Sequence, residues 1–259
     1  MRMMKKVLGT VTVLALSVSL LAGCGSTAAS PVSSAASTAA ESTTSSVVSE
    51  TTSAAADENV AAAAQLLNDL TGSYQELWPV ILADEYKQTW LDVCTALVGE
   101  DNAEAAFEKL SSMVTGDVYG EDAVEAYANG GGAYFCGFTN SLATLTFDGE
   151  TSTISGTDKD GNVLFSHTYH YIGMEPVHGL YEFESDDADS GESTYFFIAP
   201  DTSAETYHIE FRYGSDAEAL SQYDAGEYAY WVASGISTDC DQTMIDNCIE
   251  LFCTENLAG

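Results

Sequence analysis

The chain has 259 residues, with 40 acidic side chains against 7 basic ones and a formal net charge of −33. A surface this negative repels phosphate backbones and anionic headgroups, which excludes nucleic acid as a natural partner. No nucleophile elbow, phosphate loop, dinucleotide fingerprint or H-E-x-x-H occurs, so nothing in the sequence points to an enzyme.

In chain order, residues 1–24 read as a lipoprotein signal peptide. Arg2, Lys5 and Lys6 form a basic start, Val7 to Leu20 is mostly apolar, and "LAGC" places small residues before Cys24. The apolar run is shorter than the roughly 20 residues that span a bilayer. Cleavage there would leave Cys24 as a diacylated N-terminus, whose two acyl chains anchor stably. The expected location is extracytoplasmic, held to the cell membrane by the lipid alone.

Of residues 25–56, 25 of 32 are Ala, Ser or Thr, and the stretch is expected to form a disordered tether with a reach of about 30 Å. Residues 57–259 are long enough for one domain with a real core. After the leader, the only basic residues are Lys87, Lys109, Lys159 and Arg212. Five cysteines follow Cys24: Cys94, Cys136, Cys240, Cys248 and Cys253. An odd number leaves at least one unpaired within the chain, and spacing alone does not give a connectivity.

The spacing of Trp78, Leu82, Tyr86, Trp90, Val93 and Leu97 predicts one amphipathic helix, with Pro79 in its first turn. A second stripe runs Ala103, Ala106, Phe107, Leu110, Met113 and Val114, after Asp101 or Asn102 as cap. A short helix, Glu121 to Ala128, stops at "NGGG". The period then changes to two. Hairpin turns are expected at Asp148-Gly149 and Asp160-Gly161, with further strands over Leu180–Ser185, Ser193–Ala199 and Thr206–Tyr213. Met244, Ile245, Cys248, Ile249 and Phe252 mark a closing helix. The fold class is α+β: a meandering antiparallel barrel with helices at both ends.

The 4 histidines, His167, His170, His178 and His208, all fall near the C-terminal end. His167 and His170 are three apart on a strand and so point to opposite faces. Thr206, His208 and Glu210 share the polar face of their strand, opposite Tyr207, Ile209, Phe211 and Tyr213. A neutral imidazole beside a carboxylate suits zinc, though one strand supplies at most two ligands. "DDADSGE" has a superficial likeness to a calcium loop, but Gly191 falls one position early for an EF-hand, so a polar hairpin loop is expected.

"LNDLTGSYQELWPVI" resembles the opening of the ZinT (YodA) family through Leu67, Asp69, Gly72, Tyr74, Gln75, Trp78 and Pro79. Gly137-Phe138, Ile198-Ala199-Pro200 and Gly214-Ser215-Asp216 follow in the family's order. The resemblance implies a lipocalin-like (calycin) barrel in an exported protein that binds zinc, sometimes cadmium, and passes metal to a high-affinity uptake transporter. The partner it implies is thus the solute-binding protein of a metal-uptake ABC transporter. It also implies a three-histidine site, whose positions here hold Phe196, Thr206 and His208. The expected metal residues are accordingly His208, Glu210 and His170, holding zinc or, with oxygen-rich ligands, calcium or manganese. The alternative is a surface barrel without metal, carrying a small ligand or mediating interactions.

Overall fold

The computed structural model describes residues 47–199 and 208–257, with side chains from Glu58 onward. The expected signal peptide, Cys24 and residues 25–46 of the tether lie outside these, as does Thr206. Contacts divide the chain into two units, Met1–Ala61 and Ala62–Gly259. No helix among the described residues is long and apolar enough to cross a membrane.

Helix α1 runs Val47–Asp69, so it begins inside the Ala/Ser/Thr-rich segment. Alanine is the strongest helix former, which suits "SAAADENVAAAAQLL" to this conformation. At Gly72 the backbone turns with φ +146°, and the chain enters β1, Gly72–Glu76. There follow α2 (Leu77–Ile81), a single 3₁₀ turn over Asp84–Tyr86, α3 (Lys87–Val98), α4 (Glu100–Val114) and α5 (Glu121–Ala128). The stripe from Trp78 to Leu97 is therefore two helices with a 3₁₀ turn between them. The join is pinned by Trp90, whose indole N–H donates to the Ile81 carbonyl at 2.7 Å.

Strands β2 (Thr144–Asp148), β3 (Thr153–Thr157), β4 (Val163–Met174), β5 (Tyr181–Ser185), β6 (Tyr195–Ile198), β7 (His208–Gly214) and β8 (Ala233–Ser237) complete the sheet. Between β7 and β8 lies α6, Ala217–Leu220, and the chain closes with α7, Gln242–Leu257. All eight strands pair antiparallel in sequence order, and β1 pairs with both β2 and β8, which closes the barrel. The chain thus adopts the expected α+β class, a closed antiparallel barrel with helices before and after it. Both Asp-Gly turns fall between strands, at β2–β3 and β3–β4.

Alternation along each strand sorts side chains into two cores. Tyr74, Leu145, Phe147, Tyr169, Phe183, Phe196, Phe211 and Tyr213 are buried in a cluster that fills the barrel interior. The outer face of β8, through Ile236, meets a second core built from Trp78, Trp90, Leu110, Ile245 and Ile249 of the helices. The rings of Trp78 and Phe252 meet edge-on at 4.7 Å, seating α7 against α2. At about 25 cal/mol per Å² of apolar surface removed from water, such large rings dominate the packing energy.

Candidate metal centre

Period two decides where each histidine points. On β7, Ile209, Phe211 and Tyr213 enter the barrel core. His208 and Glu210 therefore stand on the outside, half-buried, opposite Ile236 and Ser234 of β8. Glu210 acts on its neighbours electrostatically. Burial first, and then the charge of Glu210, push the Cys136 thiol well above the usual range.

His170 lies on β4, opposite Glu184 of β5, with β5 and β6 between it and β7. His208 and Glu210 share one face of one strand, while His170 belongs to a different stretch of the barrel wall. Among the described residues, no three His, Cys, Asp or Glu side chains converge at metal-holding distance.

The surroundings of His170 have a chemistry of their own. Its Nδ1 is 2.7 Å from Asp186 Oδ1, where a ring N–H donates to the carboxylate. Its Nε2 is 3.9 Å from Glu184 Oε2. All three side chains are well exposed, at 52%, 52% and 38% for His170, Asp186 and Glu184. In the neutral ring with hydrogen on Nδ1, Nε2 carries a lone pair and stands near a second acceptor. A proton on Nε2 or a cation between the two groups would relieve that opposition.

His167 is on the other face of β4, among the barrel rings. Its imidazole lies parallel to Phe165 at 6.0 Å, and its Nδ1 is 2.7 Å from Asp187 Oδ2. "DDADSGE" forms the β5–β6 connection and supplies both histidine partners, Asp186 and Asp187. The stretch is a loop between strands, as expected, but neither aspartate is among the expected site residues. The pairing of two adjacent aspartates with two histidines is set by the β4–β5 register, which the sequence pattern alone does not give.

His178 sits against Tyr223, with ring centroids 3.8 Å apart, beside the fully buried Glu175. Glu175 accepts from the backbone N–H groups of Val177 (2.9 Å) and His178 (2.6 Å). On the far side of the cluster the Arg212 guanidinium carbon is 4.2 Å from the Tyr223 ring centre. Arg212 is completely buried on the outer face of β7 and donates to the carbonyls of Leu220, Gln222 and Tyr228. Desolvation lowers its pKa, with Tyr223 the leading opposing influence. This cluster straps the 217–230 segment over the barrel wall.

Phe196, at a position where the resemblance implies a histidine, is wholly buried. Its ring stacks on Tyr213 at 5.3 Å and meets Tyr169 edge-on at 5.4 Å. It belongs to the packing of the barrel interior. Outside the barrel, a cleft of about 380 Å³ lies between the end of α4, α5 and Gly132-Ala133, lined mainly by small side chains and backbone.

No family model matches the chain, and no curated protein does. Among solved structures, the Zn(II)-bound ZinT-like domain of Streptococcus pneumoniae AdcA is similar at 15% identity and a TM-score of 0.44, over 70% of this chain and 87% of that one. Zn(II)-bound AdcA from the same organism is similar at 13% identity and a TM-score of 0.41, over 71% of this chain. This chain spans 34% of its length. At these values the likeness assigns no residue a role.

Proposed function

We propose that this protein is a non-catalytic, divalent-cation-binding barrel, carried on a lipid anchor at Cys24 outside the cytoplasm and serving metal acquisition through an uptake transporter. The observation that carries the metal reading is His170, whose Nδ1 is held by Asp186 at 2.7 Å while Nε2 lies 3.9 Å from Glu184. A carboxylate that orients one ring nitrogen leaves the other free to ligate, an arrangement common in metal sites. With two protein donors the ion keeps several waters, which makes the site weak and exchangeable. Such a site suits a carrier that hands its cargo on. His208 and Glu210 form a second donor pair on the β7 face, and Thr206 lies outside the described residues.

Metal content of the full mature chain, purified without chelators, and zinc and manganese titration calorimetry test the reading. His170→Ala and Glu184→Gln should each weaken the ion at least tenfold, and Asp186→Asn about 10-fold or more through loss of ring orientation. His208→Ala reports whether the β7 pair contributes. Isotherms unchanged in every variant, with no metal copurifying, would overturn the proposal.

The second reading, a surface barrel without metal, divides into carriage of a small ligand and interaction at the surface. The barrel interior is filled by aromatic side chains, Phe196 among them. That packing supports binding at the surface over carriage of a small ligand inside the barrel.

A further inference from the structure

Two cysteines far apart in sequence meet in the helical core. Cys94 is on α3 and Cys253 on α7, 159 residues apart, and their sulfur atoms are 4.0 Å from each other. Both are fully buried. Cys136, by contrast, directs its sulfur toward the Tyr134 carbonyl at 3.9 Å. A buried thiol often serves only as a small apolar side chain. Two thiols in contact across one helix–helix interface are a different matter in an oxidising compartment.

We propose that Cys94 and Cys253 form a disulfide that ties the C-terminal helix to α3 once the chain leaves the cytoplasm. The inference rests on the extracytoplasmic reading of the leader. Covalent closure needs the sulfurs to approach by about 2 Å, to the 2.03–2.05 Å of a disulfide. Closure requires rotation of the two side chains and a small approach of α3 and α7. Neither sulfur is open to reagents in the folded protein, and burial raises both thiols above their ordinary pKa. The bond therefore forms during folding, before α7 is fully seated. The oxidant is a small or protein disulfide. The Cys94 thiolate attacks one of its sulfurs and expels a thiolate. The Cys253 thiolate then attacks the Cys94 sulfur and expels the second. Two cysteine thiols are oxidised, two reagent thiols form, and two protons pass to them.

A disulfide closing so long a loop constrains the unfolded chain strongly. It also holds a terminal helix that would otherwise fray first.

The test is unreduced peptide mapping of the full chain recovered from exporting cells. The same chain without its leader is refolded from urea with reduced and oxidised glutathione. Trypsin and a glutamyl endopeptidase release residues 88–100 with Cys94 and residues 251–255 with Cys253 alone. The expected product is these two peptides joined, two hydrogens lighter than their sum. Reduction should lower Tm by roughly 5–15 °C, and the Cys94→Ala/Cys253→Ala variant should lose that dependence. Free Cys94 and Cys253 in both preparations, or either one joined to a different cysteine, overturns the proposal. A link in the refolded chain with free thiols in the cellular chain refutes export and leaves the pairing standing.

Discussion

Replacing Arg212 with methionine removes the guanidinium that the 217–230 strap packs over, while keeping a long apolar stem in its place. The guanidinium donates to three carbonyls and covers the Tyr223 ring at 4.2 Å. The two buried carbonyls left without a donor, those of Leu220 and Tyr228, cost about 1–3 kcal/mol each, and the ring contact adds about 0.5–2 kcal/mol. Relief of the guanidinium's own desolvation, and water reaching a relaxed loop, offset part of this. The net loss should be about 3–5 kcal/mol, as when one member of a buried charged arrangement is removed. With a urea dependence of about 2 kcal/mol per M, the unfolding midpoint falls by roughly 1.5–2.5 M. Arg212→Lys should recover less than half of that, because an ammonium cannot span the same carbonyls as a planar fork. Equilibrium urea unfolding followed by tryptophan fluorescence and circular dichroism reads both numbers. A midpoint shift below about 0.3 M for the methionine variant would refute the view that this arginine holds the strap.

Burial is the leading cause that pushes Tyr127, Tyr213, Tyr223 and Tyr228 each up to about 12. A raised folded-state pKa favours the fold fully below the ordinary value near 10, and that contribution disappears as pH rises toward 12. Absorbance at 295 nm should therefore show these phenols ionising late and together with alkaline unfolding; a single transition near pH 10 with the circular dichroism intact would contradict this. A Cβ at Gly149 would lie 2.4–2.5 Å from backbone atoms of Leu67 and Asn68, which cannot yield as a side chain can. Gly149→Ala should cost about 1–3 kcal/mol by overpacking, measured as a lower urea midpoint, and an unchanged midpoint would mean that α1 does not press on this turn.

The helices α3, α4, α5 and α7 and the strands from β2 to β7 were legible because their apolar spacing agrees with their final environment. β1 and β8 were not. "GSYQE" carries one side chain into the barrel core, Tyr74, and "ASGIS" is made mostly of small residues, so neither has a strong period-two signal. Smallness there is a packing requirement, since a Cβ on Gly235 would lie 3.1 Å from Ile209 and 3.3 Å from Phe138. The opposite orientations of His167 and His170 followed from strand geometry alone. Their aspartate partners depend on the β4–β5 register and on the path of the following turn, which local pattern does not specify. Arg212 was readable only as an oddity: the one arginine after the leader, on the polar side of an aromatic strand.

The pairing of β1 with both β2 and β8 also bears on how copies of this protein behave when crowded. An open sheet ends in a row of unpaired amides and carbonyls, and that row can recruit a strand from a neighbouring molecule. Here the first strand occupies the position where such a row would be, so the ladder returns on itself. The proposed lipid anchor would concentrate many copies on a two-dimensional surface and raise every encounter rate. The closed ladder offers those encounters no template for intermolecular strand addition, and 40 acidic side chains hold like-charged copies apart.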